Sequence, residues 1–169
     1  YNRGSRKPVV EEGTFEDDIY RRDFTINSIA VSLDQDSYGE IIDIFGGIED
    51  IEKKIIRTNN EPKSTFSDDP LRILRACRFA AQLSFEIEEA VLLASAEMAD
   101  RLNIISAERI ASEFVKIMQT EKPSIGLDLL YRGKVLDVVF PELANLSGVE
   151  QRKDYHHKDV FKHTLEVVD

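Results

Sequence analysis

Asp68-Asp69-Pro70-Leu71-Arg72-Ile73-Leu74-Arg75-Ala76-Cys77-Arg78-Phe79 divides the chain into two kinds of sequence. Asp69 and Pro70 form a helix start, an N-cap acid followed by proline at the first helical position. The apolar spacing after them predicts a helix to about Leu83, broken at Ser84 and Phe85. Arg72, Arg75 and Arg78 recur every three residues. They therefore step by about 60° around the helix and rise roughly 4.5 Å each time. The result is a slanted cationic ridge with Asp69 one step above it. Ile73, Leu74, Cys77, Ala80 and Ala81 take the opposite arc and form the core face. Leu71 and Phe79 lie among the arginines, so the ridge is partly apolar. Such a wall suits a polyphosphate. From spacing alone, a solvated basic face paired to nearby acids is an equal reading.

Downstream of this helix the pattern stays helical. Ile87 to Met98, Ala107 to Gln119 and Ser124 to Arg132 are the next helices, Gly133 closes the last of them, and Pro141 opens a short one. Upstream, short apolar runs are separated by turn residues. Phe24 to Leu33 and Ile41 to Phe45 are β-capable, with a hairpin-like link over Asp34 to Gly39. Gly46 and Gly47 end the second run, and Ile48, Ile51 and Ile55 give helical spacing from Ile48 to Ile56. The fold class is therefore α+β and mostly helical. A small strand-containing piece over 1–62 precedes an all-α region over 63–148, and 149–169 begins a further helical unit. The strands that would complete the first piece are expected before Tyr1. Both ends look cut, which predicts a piece of a longer chain.

Composition limits the function classes. Hydrophobic residues make up 42% and charged residues 32%, as in globular proteins. The net charge of −10 argues against coating nucleic acid by bulk electrostatics, so RNA or nucleotide contacts must come from local arginine clusters. One cysteine, Cys77, allows no internal disulfide. No run of apolar residues approaches membrane-spanning length. A cytoplasmic location is the expectation.

Arg21-Arg22-Asp23-Phe24-Thr25-Ile26-Asn27 is the second constellation. Taken alone it is a charged strand entry with Asn27 in a turn. In series, however, four segments share one resemblance. RRDFTINSIA, IIDIFGGIEDI, DDPLRILRACRFAAQLSF and Glu108-Arg109-Ile110-Ala111-Ser112-Glu113 resemble the successive motifs of class II tRNA nucleotidyltransferases, the CCA-adding enzymes and bacterial poly(A) polymerases. The resemblance covers nearly the whole chain.

The resemblance implies a template-independent enzyme that adds CMP and AMP from CTP and ATP to the 3′ end of tRNA, or polyadenylates RNA. It implies that Asp69 and Arg72 pair with the incoming base and that Arg75 and Arg78 contact the nucleotide. Arg22 would bind the triphosphate and Asn27 the ribose. Arg21, Asp23 and Asp68 would support the site, and Glu108, Arg109 and Glu113 would brace the helix that carries Asp69 and Arg72. The family's acidic pair usually begins with Glu where this chain has Asp68. Its catalytic element, a glycine-rich turn with Asp-x-Asp, lies upstream of the segment corresponding to Gly4 to Pro8. The catalytic Mg²⁺ would therefore be held by residues outside this chain, and these residues alone would select a nucleotide without transferring it.

Two further features invite metal readings. Asp34-Gln35-Asp36 has Asp-x-Asp spacing but sits in a turn without a glycine-rich loop, and an ordinary surface turn is the expectation. Tyr155 to Leu165, with His156, His157 and His163, resembles the entry to an HD-type metal phosphohydrolase domain. His163 would be its first ligand, but one histidine cannot hold a metal tightly. A non-catalytic helical RNA-binding module and an HD-type phosphohydrolase piece are the competing readings.

Overall fold

The computed structural model describes residues 13–149 and 159–169. Its elements are α1 (Phe15–Tyr20), a 3-10 turn (Thr25–Asn27), β1 (Ala30–Val31), β2 (Ile41–Ile42), α2 (Gly47–Lys53), β3 (Ile55–Ile56), α3 (Pro62–Asp68), α4 (Arg72–Leu83) and β4 (Glu86–Ile87). Then follow α5 (Glu89–Met98), a second 3-10 stretch (Ala99–Ile104), α6 (Ala107–Met118), α7 (Pro123–Arg132), α8 (Leu136–Val139), α9 (Pro141–Ala144) and α10 (Val160–Val168). The architecture is α+β and mostly helical, as expected. His156 and His157 lie outside the described residues.

The run from Phe24 to Leu33 is less strand than expected. Phe24 makes a single antiparallel bridge to Thr58, the 3-10 turn follows, and a strand forms only at Ala30 and Val31, antiparallel to Ile42 and Ile41. Local hydrogen bonds account for the difference. The Asp23 carboxylate accepts from the Phe24 N–H at 3.0 Å, and the Ser28 hydroxyl donates to the Phe24 carbonyl at 2.9 Å. Short polar side chains offer the backbone an alternative to a ladder. The expected hairpin link over Asp34 to Gly39 is present, with Gly39 at φ 86°.

The glycine pair does two separate jobs. Gly46 has φ 75°, which a side chain would strain, and leads into α2. At Gly47 an added Cβ would stand 2.3 Å from the Thr25 carbonyl oxygen, so α2 lies directly on the 3-10 turn. Asp43 caps α2 by accepting from the Gly47 and Ile48 N–H groups at 2.7 and 2.9 Å. The helical spacing expected through Ile56 stops at Lys53. Lys54 turns left-handed at φ 58°, and Ile55 and Ile56 form a strand parallel to Glu86 and Ile87. Two β-branched residues followed by a distant pairing partner override the period.

α3 was not anticipated; Glu61 caps it by accepting from the Ser64 N–H at 2.8 Å. Its presence moves the start of α4 to Arg72. Asp69 is the extended joint between the two helices, and its carbonyl accepts the Arg72 N–H. The stop at Ser84 is as expected, with φ 54°. Gly133 follows α7 at φ −78°, and the left-handed position falls one residue later on Lys134.

α4 packs mainly on α7 and α6. Its core arc, including Ile73, Leu74, Cys77 and Ala80, is fully buried, as are Ile117 on α6 and Leu127 and Leu130 on α7, and Val91 and Leu102 belong to the same cluster. Each large apolar side chain removed from water contributes about 1.5–3 kcal/mol. Burial also pushes the Cys77 thiol up to about 12, which leaves it inert at neutral pH. Phe24, Ile56 and Phe66 belong to this same cluster, and the Phe24 ring meets Phe79 edge-on at 5.8 Å. One core therefore runs across residue 62 and fixes the Arg21–Asn27 segment against α4. Among the described residues, no helix is long and apolar enough to cross a membrane.

Candidate functional site

Where the Arg21–Asn27 segment faces the joint between α3 and α4, a cleft of about 330 Å³ opens. Arg22, Asp23, Asp69, Leu71, Arg72, Arg75 and Arg109 line it. Four guanidiniums and two carboxylates on so small a surface give the cleft a cationic balance in an acidic protein.

Arg72 is held by main chain. One Nη donates to the Thr65 carbonyl at 3.2 Å and the other to the Arg21 carbonyl at 2.6 Å. A guanidinium has five N–H donors, so three are not spent on these carbonyls. Asp69 is held on both oxygens. Oδ1 accepts from the Leu71 N–H at 3.1 Å, and Oδ2 accepts from Arg109 at 2.9 Å. About half of the lone-pair sites on this carboxylate stay open. Asp68 is mostly exposed and reaches Arg72 only at 3.8 Å.

Arg75 is committed inward. Its Nε donates to Asp23 at 2.7 Å, and its guanidinium lies 5.3 Å from the Phe79 ring centre. Asp23 is buried and also accepts from the Asn27 amide at 3.1 Å and from the Phe24 N–H. Burying a carboxylate is tolerable with this many donors and a paired cation. Arg22 is half exposed, paired with Asp18 at 2.9 Å, and donates to the Asn27 carbonyl at 2.9 Å. Its partner Asp18 lies below the usual carboxylate range because Arg21 and Arg22 donate to it.

Several expected contributors stand elsewhere. Arg78 does not line the cleft. Its Nε stands 2.7 Å from Glu113 Oε2 in a buried ion pair, and its guanidinium lies 4.1 Å from the Phe79 ring centre. Two steps of about 60° turn it about 120° away from Arg72, onto the face that meets α6. Asn27 also lies off the cleft and spends its amide on Asp23. Arg21 points its guanidinium at Asp18, and only its carbonyl serves Arg72. Of the expected brace, Arg109 reaches Asp69 and Glu113 reaches Arg78. Glu108 does neither: it is exposed on the first turn of α6. There its own N–H and the Ser106 hydroxyl hold its carboxyl below the usual range.

Three residues the sequence did not single out lie off the cleft and hold the segment behind it. Asp50 is buried and accepts from the Thr25 hydroxyl at 2.5 Å and from Arg57 Nε at 3.0 Å. Arg57 also donates to the Phe45 carbonyl at 2.8 Å. The Asn59 amide donates to the Ile19 carbonyl at 2.9 Å and to Ser28 Oγ at 2.6 Å, which ties down the turn that carries Arg22. An acid between Glu49 and Glu52, and an Asn-Asn pair, look like ordinary surface residues until the partners are placed.

Asp34 and Asp36 are exposed in a turn, as expected. Among the described residues no three His, Cys, Asp or Glu side chains gather as a metal site. His163 is half exposed, with Glu166 4.0 Å away.

Comparison with known proteins places this geometry. Residues 1–57 match the family model "Poly A polymerase head domain", and residues 84–146 match "Probable RNA and SrmB-binding site of polymerase A". The chain is 40% identical over 155 residues to the multifunctional CCA protein of Neisseria gonorrhoeae, covering 90% of this chain and 36% of that protein. It is 49% identical over 117 residues to the CCA-adding enzyme of Enterococcus faecalis, covering 67% of this chain and 27% of that one. The CCA-adding enzyme of Bacillus stearothermophilus in complex with CTP superimposes with a TM-score of 0.68 at 38% identity, covering 72% of this chain and 30% of that one. The Thermotoga maritima CCA-adding enzyme complexed with tRNA gives 0.68 at 35% identity, covering 76% and 31%. The chain thus spans about a third of the length of the curated relatives it matches. Shared motifs, shared fold and these identities agree that the chain belongs to the family of CCA-adding tRNA nucleotidyltransferases and bacterial poly(A) polymerases.

Proposed function

We propose that this chain supplies the nucleotide-selecting part of a template-independent RNA nucleotidyltransferase, which adds CMP and AMP from CTP and ATP to the 3′ end of tRNA or polyadenylates RNA. The observation that carries the reading is the pairing of Asp69 and Arg72 on one cleft, each held by bonds that leave capacity for a ligand. A carboxylate only accepts hydrogen bonds and a guanidinium only donates them. Adenine and cytosine each present an amino donor beside a ring-nitrogen acceptor, which complements this pair. Guanine and uracil present a carbonyl beside a ring N–H, which leaves both protein groups unpaired.

Around the pair, Arg22 on the cleft wall is the cation for the phosphate side. Arg75 and Asn27 hold Asp23, and through it the turn that carries Arg22. Arg78 stabilises α4 against α6 rather than touching the nucleotide. RNA is the proposed acceptor and the cytoplasm the proposed compartment. The Mg²⁺ that the resemblance implies finds no fitting ligand set among the described residues.

Equilibrium titration of the chain with CTP, ATP, UTP and GTP tests the reading. The chain should prefer CTP and ATP, and Asp69→Ala and Arg72→Ala should each reduce that preference by about tenfold or more. Unchanged nucleotide choice in both variants would overturn the assignment.

A further inference from the structure

The two members of the proposed reading pair are secured differently. Arg72 is gripped by two main-chain carbonyls, those of Thr65 and Arg21, so its orientation follows from the fold itself. Asp69 has one main-chain hold, the Leu71 N–H on Oδ1. Among the described residues, its second oxygen is held only by the side chain of Arg109, 40 residues away on α6. A carboxylate bonded at one oxygen can turn about its Cβ–Cγ bond, because that torsion is broad and nearly two-fold. Bonded at both oxygens, it keeps one plane. Arg109 is itself a rim residue whose side chain is 52% exposed, against 11% for Arg78, and it takes no part in the buried contact between α4 and α6.

We propose that Arg109 is a specificity-determining positioning residue. By holding Asp69 Oδ2 it fixes the plane in which that carboxylate meets the base, and the preference for amino-bearing bases depends on it. This inference rests on the reading of Asp69 and Arg72 as the base-selecting pair. Arg109 lines the same cleft, so a direct contact with the ligand's phosphates is the alternative that the test must separate.

The experiment compares Arg109→Ala, Arg109→Lys and Asp69→Ala in the 169-residue chain. It measures affinity for CTP and UTP by calorimetric titration and stability by thermal unfolding. Arg109→Ala is expected to cut the CTP-over-UTP preference about tenfold, by loosening a charge-assisted hydrogen bond to the reading group. Melting should hardly change, because an ion pair this exposed contributes little to stability. Arg109→Lys keeps the cation and should recover part of the preference. An unchanged preference in Arg109→Ala, with the preference lost in Asp69→Ala, would overturn the inference and leave the reading pair standing. An equal loss of affinity for both nucleotides, at constant preference, would make Arg109 a phosphate contact and likewise overturn it. Unchanged preference in Asp69→Ala, or none in the original chain, would remove the reading pair and this inference together.

Discussion

Arg78–Glu113 and Arg109–Asp69 are both acid–arginine contacts between the α3–α4 region and α6, yet their surroundings are opposite. The first has side-chain exposures of 11% and 6%, the second 52% and 34%. A buried pair cannot be half removed without leaving a charge stranded, whereas an exposed pair can exchange with water. The comparison separates two jobs that the ERIASE segment performs at once. Glu113 locks one helix to another, and Arg109 attends to a side chain that faces a cleft.

Glu113→Ala should have the largest effect. It strands Arg78 against Phe79 and Gln82, and should cost roughly 3 kcal/mol in denaturant unfolding. A loss as small as that of a surface pair would break the contrast between the two contacts. Next comes Gly47→Ala, whose new Cβ would stand 2.3 Å from the Thr25 carbonyl oxygen. Forcing α2 off the turn should cost about 1–3 kcal/mol. It should also weaken nucleotide affinity, because the same turn supports Arg22. Unfolding and titration on one sample check both effects. The smallest response belongs to Asp34→Ala with Asp36→Ala, in an exposed turn remote from the cleft. Stability should stay within about 0.5 kcal/mol, and CTP affinity should not move. A loss of affinity in that variant would extend the site to the hairpin.

Much of this was legible locally. α4 follows from the three-residue arginine period against an apolar arc, and its end at Ser84 from a break in that arc. The exposed Asp34–Asp36 turn follows from turn residues without a glycine-rich loop. The short strand in Phe24 to Leu33 was lost to local side-chain hydrogen bonds, and the other misses share a different cause, which is distance along the chain. Ile55 and Ile56 continue a helical spacing, and only the pairing with Glu86 and Ile87 makes them a strand. α3 has only about two turns of weak signal, and its packing against α5 settles it. Arg78 belongs to the same ridge as Arg72 in sequence, but α6 covers its side of the helix and leaves Arg72 to the cleft.

By itself, the sequence determined the kind of chemistry available: which residues can donate, which can accept, and the motif order that marks the family. Those properties reside in side-chain type and spacing, and folding does not alter them. The tertiary structure decided which of these groups are used. It buried Asp23 and Asp50 and spent Arg75 on one and Arg57 on the other. It turned Arg78 and Glu108 away from the cleft, and left Asp69 and Arg72 with open hydrogen-bonding capacity. The reason is that a polar group's role depends on the partners it keeps after burial. At the cleft the deciding partners come from positions 40 or more residues apart, as with Arg109 and Asp69, Arg72 and Arg21, or Arg75 and Asp23.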